Sequence, residues 1–343
     1  MSSPLRSLLA LISVTALLAL AACNTQSPGA SGGDGGKINI GVGGQTVLTY
    51  LPVTLADQLG YFEDEGLDVE LQDLQGGSKA LKGMLGGSTT VTSGYYEHTI
   101  QMQAKNQDIK AFAVQATIPG LVLLVAPGKE KEIKSIKDLK GKTVGVTAPG
   151  SSTDMFVRYL LAKEKMKPED ISISGIGAGS TAVAAVEKGN VDAAVLIEPA
   201  VTQLEKKIGK TTKKLGDLRD PANVETVFGS RTWPASVLYA QTDWLDEHAK
   251  EARKLAKALV RALKWAESHS GKEIAAKMPK QFAGGNPEEY ATVIDASKKG
   301  FSTDGKMPEE GAEAVLETQR VANPEVGDAD IELKKTFTNE FLD

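Results

Sequence analysis

The chain has 343 residues, of which 39 are basic, 44 are acidic and 41% are hydrophobic, and its formal net charge is −5. This length suffices for two hydrophobic cores of ordinary size, and without a strongly basic block nucleic acid is not an expected partner. A single cysteine excludes both an intramolecular disulfide and a cysteine-based metal site.

The first residues have the pattern of a bacterial lipoprotein leader. Arg6 precedes the apolar run 8–20, which is too short to span a bilayer comfortably. The stretch Leu20-Ala21-Ala22-Cys23 resembles a lipobox, which implies removal of the signal peptide 1–22 and lipidation of the Cys23 sulfur. The Ser- and Gly-rich segment 23–36 predicts a flexible linker. We therefore expect a protein held on the outer side of the cell membrane by lipid alone, facing the periplasm or the extracellular side.

After residue 37, short apolar strands alternate with helices. The first set consists of predicted strands at 38–42, 67–71, 89–92 and 109–115 and helices at 46–59, 79–85 and 95–104. Alternation of this βαβ kind predicts a mainly parallel sheet.

A second set repeats the same order. It has predicted strands at 143–146, 171–174 and 193–197 and helices at 153–164 and 181–188. Gly77-Ser78 and Gly87 bracket a helix in the first set, and Gly179-Ser180 and Gly189 bracket its counterpart at the same offset. Glycine is common at any helix end, but the match favours two α/β lobes built on one plan.

Beyond Trp233 the sequence becomes mostly helical. Strand 236–241 is predicted to return to the first lobe, and the later helices to pack on that lobe; these helices are predicted at 245–268, 274–282, 287–298 and 308–320. The predicted fold class is α/β with two lobes, each a mainly parallel sheet flanked by helices. Lobe 1 takes residues 37–120 plus 234–343, and lobe 2 takes residues 121–233.

One phrase after the first helix resembles a known family. Gly-Tyr-Phe at 60–62 followed by Gly-Leu-Asp-Val at 66–69 is similar to a phrase in the solute-binding proteins of nitrate, sulfonate and taurine importers. Four further stretches agree in order, namely 136–142, 150–152, 186–194 and 198–200. The resemblance implies a type II periplasmic-binding-protein fold, in which two lobes close over one small molecule and deliver it to an ABC permease and its ATPase.

Ligands of open α/β sheets sit beyond the carboxyl ends of the strands, which places the candidate residues in the loops there. They are Gln45, Thr46, Gly77, Ser78, Ser93, Tyr95, Tyr96, Glu97 and His98 in the first lobe, Ser151, Ser152, Thr153, Ser180 and Glu198 in the second, and Trp233 at the return crossing. Helix-start N–H groups and hydroxyls suit sulfonate, nitrate or carboxylate oxygens. Ordinary N-capping explains Ser78, Ser152 and Ser180 equally well.

Two acidic residues oppose a purely anionic ligand, because a carboxylate in an anion pocket must meet a cation. A zwitterionic ligand such as an aminosulfonate would satisfy Glu97 and Glu198. Alternatively, Glu198 pairs with Arg231 as the lobes close, or both carboxylates lie on a water-exposed rim. The rings of Tyr95, Tyr96 and Trp233 offer flat apolar walls, which leaves an aromatic carboxylate or a thiamine pyrimidine open as the ligand.

An enzyme on the same fold is the competing class. Relatives of this family include thiamine-pyrimidine synthases that draw on a histidine and clustered cysteines, and this chain lacks those cysteines. Only His98 lies near the predicted cleft, since His248 and His269 are in or beside a later helix, although Ser93 near His98 leaves a hydrolase interpretation open. We therefore expect a monomeric binding protein for a small anionic or zwitterionic organic solute, without cofactor or metal.

Overall fold

The computed structural model describes residues 36–342. The leader, Cys23 and nearly all of the linker lie outside the described residues, so the predictions made for them stay predictions. Within the described part of the chain, no helix is long and apolar enough to cross a membrane.

The described residues contain ten strands in two five-stranded sheets. The strands are β1 (Ile38–Val42), β2 (Val69–Asp73), β3 (Val91–Tyr95), β4 (Ile109–Val114), β5 (Leu121–Val125), β6 (Thr143–Val146), β7 (Ser172–Gly175), β8 (Ala193–Ile197), β9 (Lys214–Asp217) and β10 (Ser236–Gln241). The first sheet has the order β2-β1-β3-β10-β4 and the second the order β7-β6-β8-β5-β9. Sequence reasoning predicted neither β5 nor β9 as a strand.

Both sheets follow one plan. In each, three parallel strands are followed by one strand that runs against both of its neighbours, β10 in the first sheet and β5 in the second. These are the two strands by which the chain enters a sheet from the other one. Because the chain enters at the edge where the carboxyl ends of the parallel strands lie, the entering strand has to run away from that edge. The mainly parallel sheets predicted from the sequence are therefore mixed.

Helices cover the faces of the sheets. They are α1 (Leu51–Gln58), α2 (Tyr61–Asp64), α3 (Gly77–Leu85), α4 (Glu97–Gln103), α5 (Ser152–Lys163), α6 (Ser180–Glu187), α7 (Ala200–Ile208), α8 (Pro221–Phe228), α9 (Thr242–Glu247), α10 (Ala249–Ser268), α11 (Gly271–Lys277), α12 (Pro287–Ser297), α13 (Glu309–Ala322) and α14 (Pro324–Gly327). All five residues of β5 are buried, as expected of a central strand covered on both faces. Two core clusters result, the larger with residues from both sheets and the smaller under one face of the second sheet.

The prediction that the late helices pack on the first lobe is wrong for α13. This helix packs on α4, which follows a strand of the first sheet, and also on α5, which follows a strand of the second. Gln319 accepts a hydrogen bond from Gln101 Nε2 at 2.9 Å, and Thr318 Oγ1 accepts one from Trp233 Nε1 at 3.0 Å. The buried positions of α13 are spread over two faces, which lets one helix pack on both neighbours.

Candidate ligand-binding site

The loops at the carboxyl ends of the two sheets meet directly, and we call this contact region the junction. It is formed by segments 43–50, 75–78 and 95–98 from the first sheet and by segments 147–152, 177–181 and 197–199 from the second. Ser78 N donates a hydrogen bond to Ser151 Oγ at 2.9 Å, and Ser78 Oγ donates one to the Pro149 carbonyl at 2.9 Å. Leu48 N donates to the Glu198 carbonyl at 2.9 Å, so the two sheets are hydrogen-bonded across the junction.

Residues without large side chains make this close approach possible. A Cβ placed on Gly76 would lie 2.9 Å from the Ala148 Cβ, and one on Gly44 would lie 3.0 Å from the Ala178 Cβ. Thr46, a predicted site residue, abuts the second sheet, because a Cβ on Gly179 would be 2.5 Å from its Oγ1. Real Cβ atoms do not approach this closely, so larger residues would hold the two sets of loops apart.

The serines at the junction do not act as helix caps. Helices α3, α5 and α6 all begin without a side-chain capping hydrogen bond. The hydroxyls of Ser78 and Ser151 instead lie 3.2 Å from each other across the junction, Ser152 is buried and Ser180 is exposed. Two helix N-termini, those of α3 and α5, therefore meet face to face, and their partial positive charges favour the oxygens of an anionic group.

His98 lies buried beneath the junction. Its Nδ1 is 3.0 Å from the Tyr239 hydroxyl, whereas its Nε2 has no hydrogen-bond partner in residues 36–342. A Cβ on Gly77 would be 3.0 Å from His98 Cε1 and 3.7 Å from Ser151 Oγ, which places the imidazole edge at the contact between the sheets. Burial lowers the pKa of His98 to about 4, so the ring is neutral at pH 7.

Glu97, the preceding residue, is fully buried and has neither carboxyl oxygen hydrogen-bonded to another described residue. Burial raises the pKa of Glu97 to about 8, and a hydrogen bond from its own backbone N–H opposes that effect. The charged form of Glu97 acts on three nearby phenols. The pKa values of Tyr50, Tyr95 and Tyr239 are raised mainly by burial and further by the Glu97 carboxylate. The carboxyl group is therefore protonated at neutral pH and surrounded by uncharged tyrosines.

Aromatic rings form one wall of this region. The rings of Tyr50 and Tyr95 are 5.8 Å apart in an edge-on arrangement, and the Tyr95 hydroxyl donates to the Pro119 carbonyl at 2.6 Å. Trp233 stacks on Phe228 with ring centroids 5.5 Å apart. Tyr96 lies elsewhere, because its hydroxyl is hydrogen-bonded to Thr336 and its ring packs on Phe337 in the core.

The other predicted residues have partners close to their own loops. Ser93 Oγ accepts a hydrogen bond from Gln115 Nε2 at 2.8 Å, so the Ser93 hydroxyl is bonded to Gln115 and not to His98. Thr153 Oγ1 accepts from Thr147 N at 3.0 Å, and Gln45 N donates to Asp73 Oδ1 at 3.2 Å. These contacts order the loops around the junction.

Glu198 does not pair with Arg231, and that prediction is wrong. Its carboxylate accepts a hydrogen bond from Arg219 Nη1 at 2.5 Å and from Thr202 N at 3.1 Å, whereas Arg231 pairs with Glu225 at 2.9 Å. Nor is it a rim residue in water, since Glu198 is only 6% exposed. Arg219 was not foreseen as the partner of Glu198, because strand β9 just before it was not predicted.

Little space remains at the junction. A cavity of about 30 Å³ lies beside the crossing segments, lined by residues that include Leu48, Thr49, Ile118, Glu198 and Arg219. That volume holds a water molecule or two and no organic solute, so the loops must part to admit one. Two site residues, Tyr50 and Tyr239, were missed by sequence reasoning, since each lies within a regular helical or strand segment and carries no motif.

Two α/β sheets that meet at their carboxyl ends define the periplasmic-binding-protein fold. The alkanesulfonate-binding protein SsuA of Xanthomonas axonopodis pv. citri, solved with bound MOPS, has this fold with a TM-score of 0.67, at 15% identity over 88% of this chain and 98% of that one. A protein of known structure from Bordetella bronchiseptica RB50 is 40% identical, with a TM-score of 0.86 over 89% of this chain and 95% of its own. The predicted fold is confirmed.

The family model described as NMT1/THI5 like matches residues 48–272, and the chain belongs to this family. YtlA of Bacillus subtilis (strain 168), which is named as a binding protein, is 28% identical over 258 residues, 74% of each chain. The 4-amino-5-hydroxymethyl-2-methylpyrimidine phosphate synthase THI13 of Saccharomyces cerevisiae is 24% identical over 230 residues, 66% of each chain. The resemblance to importer solute-binding proteins is thereby confirmed, and the family includes binding proteins and an enzyme.

Proposed function

We propose that this protein is the extracytoplasmic solute-binding component of an ABC importer, which takes a small organic solute between its two lobes and delivers it to a permease and its ATPase. The observation that carries this proposal is the junction itself, where the Glu97 carboxyl oxygens and His98 Nε2 are buried without a hydrogen-bond partner in another described residue, beneath loops that touch through small residues. Buried polar atoms without partners are costly, and a bound ligand would satisfy them. The names of YtlA and SsuA as binding proteins support the same class.

The proposed lobes are residues 37–120 plus 234–343 and residues 121–233. Helix α13 packs on both and would have to adjust when they move. Lipidation of Cys23 and the linker after it would hold the lobes near the outer face of the membrane, where the permease is.

An anionic or zwitterionic organic solute fits the proposed site. The facing N-termini of α3 and α5 favour a sulfonate or carboxylate end. No Lys or Arg among the described residues contributes to the pKa shift of Glu97, so the ammonium group of a zwitterion such as taurine could serve as its counter-ion, which nitrate could not.

A flat nitrogen heterocycle is the second candidate ligand. The rings of Tyr50 and Tyr95 flank the Glu97 carboxyl, and the name of THI13 includes an aminopyrimidine. A catalytic role for this chain has less support. Ser93 is hydrogen-bonded to Gln115 and His98 to Tyr239, so they do not form a nucleophile and base pair.

A thermal-unfolding screen of the purified protein tests the proposed function. The panel contains nitrate, taurine, alkanesulfonates, aromatic carboxylates, thiamine pyrimidine and simple cations. A true ligand at a hundred times its Kd stabilises the folded state by about 2.7 kcal/mol, which raises Tm by a few degrees. Protein that is shown to be folded and free of carried-over ligand, and that responds to no member of the panel, would contradict the proposal.

A further inference from the structure

Glu97 and His98 share a property that sets them apart from the rest of the junction. Both are fully buried, and three of their polar atoms lack a hydrogen-bond partner in any other of the residues 36–342, namely the two Glu97 carboxyl oxygens and His98 Nε2. We propose that these two side chains form a subsite for a protonated amino group of the ligand, and that Glu97 releases its proton to solvent when this group binds. The inference rests on the proposed function and specifies the chemistry of the solute.

The two ring nitrogens of His98 have different surroundings. Its Nδ1 lies 3.0 Å from the Tyr239 oxygen, and which of the two atoms donates depends on the tautomer of the ring. In the tautomer with the proton on Nδ1, the Tyr239 oxygen accepts that hydrogen bond and the unpartnered Nε2 is an acceptor for an N–H donor. A ligand amino group would supply this donor and select this tautomer.

The surroundings of Glu97 favour a cation bound beside its carboxyl group. The titratable groups that face it are the phenols of Tyr50, Tyr95 and Tyr239, whose raised pKa values keep them uncharged at neutral pH. No Lys or Arg among the described residues forms an ion pair with Glu97 or contributes to its pKa shift. A buried carboxylate without a counter-ion is strongly disfavoured, and an ammonium group on the ligand would supply that counter-ion.

The subsite has no net charge either before or after the ligand binds. Without ligand, Glu97 keeps its proton and the subsite is neutral. An ammonium group brings one positive charge, the Glu97 proton passes to the buffer, and the subsite remains neutral as an ion pair. Because the proton must leave, ligand affinity should rise up to about tenfold per pH unit below the Glu97 pKa of about 8, and level off above it. Anions without an amino group would show no such dependence.

Calorimetric titration with matched solutes tests the subsite. The probes are taurine against 2-hydroxyethanesulfonate, 4-aminobutanoate against butanoate, and methylammonium alone, each at pH 6, 7 and 8. We expect at least one amine-bearing probe to bind ten or more times tighter than its amine-free partner. Its heat of binding should differ between phosphate and Tris buffers by the amount expected for release of one proton.

Two variants separate the subsite from general effects of losing a carboxylate. E97Q should lose the pH dependence and the proton release, whereas E187Q, which removes a partly exposed carboxylate on α6 that pairs with Lys207, should keep both. Amine-bearing probes whose affinity, pH dependence and proton release E97Q leaves unchanged would overturn the subsite while the proposed function stands. A complete lack of binding by every probe would overturn the subsite and the proposed ligand class together.

Discussion

Glu97 and His98 are neighbours in the sequence, and burial shifts their pKa values in opposite directions. The carboxyl pKa rises to about 8 and the imidazole pKa falls to about 4, because an uncharged form is favoured wherever water is excluded. At neutral pH the site therefore holds two uncharged groups, whereas in an unfolded chain the carboxyl would be charged and a minority of the imidazole would be charged. This arrangement predicts a particular dependence of stability on pH.

The free energy of unfolding should respond to this pair only above pH 6.5. Between pH 4.5 and 6.5 the folded chain holds one proton on Glu97 and the unfolded chain holds one on His98, so their effects cancel. Between pH 6.5 and 8 only the folded chain holds a proton, and stability should fall by up to about 1 kcal/mol per pH unit. Urea unfolding of wild type and E97Q across this range measures the difference.

In E97Q the falling limb should disappear, and stability should instead rise with pH between about 4 and 6.5, where only the unfolded chain protonates His98. Parallel curves for the two proteins from pH 6.5 to 8 would show that Glu97 is not buried in this way.

At the scale of elements, the loops that precede α3 and α5 decide how closely the sheets approach. Gly76 and Ala148 lie opposite each other, each at the end of a strand and before a helix. Gly76 has a φ of 168°, which is extended backbone that any residue can adopt. An added methyl group at this position therefore meets its obstacle only across the junction, where the Ala148 Cβ would be 2.9 Å away.

G76A should favour the open arrangement and so strengthen ligand binding up to about tenfold, because overpacking at this contact costs on the order of 1–3 kcal/mol in the closed, ligand-free arrangement. It should leave the fold of each lobe intact, because the obstacle arises between the two sets of loops. The double variant G76A/A148G removes the opposing methyl group and should return the affinity to the wild-type value. Calorimetry with the ligand found in the screen measures both effects; an affinity that A148G does not return to the wild-type value would contradict the role given to this contact.

At the scale of the whole molecule, the two sheets are closed on each other at the junction, where the cavity of about 30 Å³ is too small for an organic solute. Opening requires the hydrogen bonds of Ser78 with Ser151 and Pro149 to break, together with the bond from Leu48 to Glu198. The chain crosses between the sheets at 115–120 and at 229–235, and a few residues there can absorb the rotation. Ligand binding then shifts the equilibrium between an open and a closed form of the protein.

A disulfide across the junction should hold the protein closed and prevent binding. The Ser78 and Ser151 hydroxyls are 3.2 Å apart, so cysteines at these positions are close enough to bridge. In a C23S background, oxidised S78C/S151C should bind no ligand and should recover binding after reduction. The single variant S78C is the control, and full binding by the oxidised double variant would contradict the need for opening.

The amino-acid pattern alone determined the class of this protein. Alternating apolar runs and glycine-ended helices gave β1, β6, β8 and β10 at their observed bounds, and the 60–69 phrase indicated the family. These features are local or periodic, so a linear sequence displays them. The loops that form the junction were predicted for the same reason, because the carboxyl ends of parallel strands lie on one edge of a sheet.

Only the tertiary structure decided which partner each side chain has. Sequence reasoning predicted Arg231 as the partner of Glu198, but strand β9 brings Arg219 to the Glu198 carboxylate instead. It also could not show that Glu97 is buried with no described Lys or Arg acting on its pKa, or that α13 packs on both α4 and α5. Such choices depend on contacts between residues far apart in the chain, and burial, which sets the charge state of Glu97, exists only after those contacts have formed.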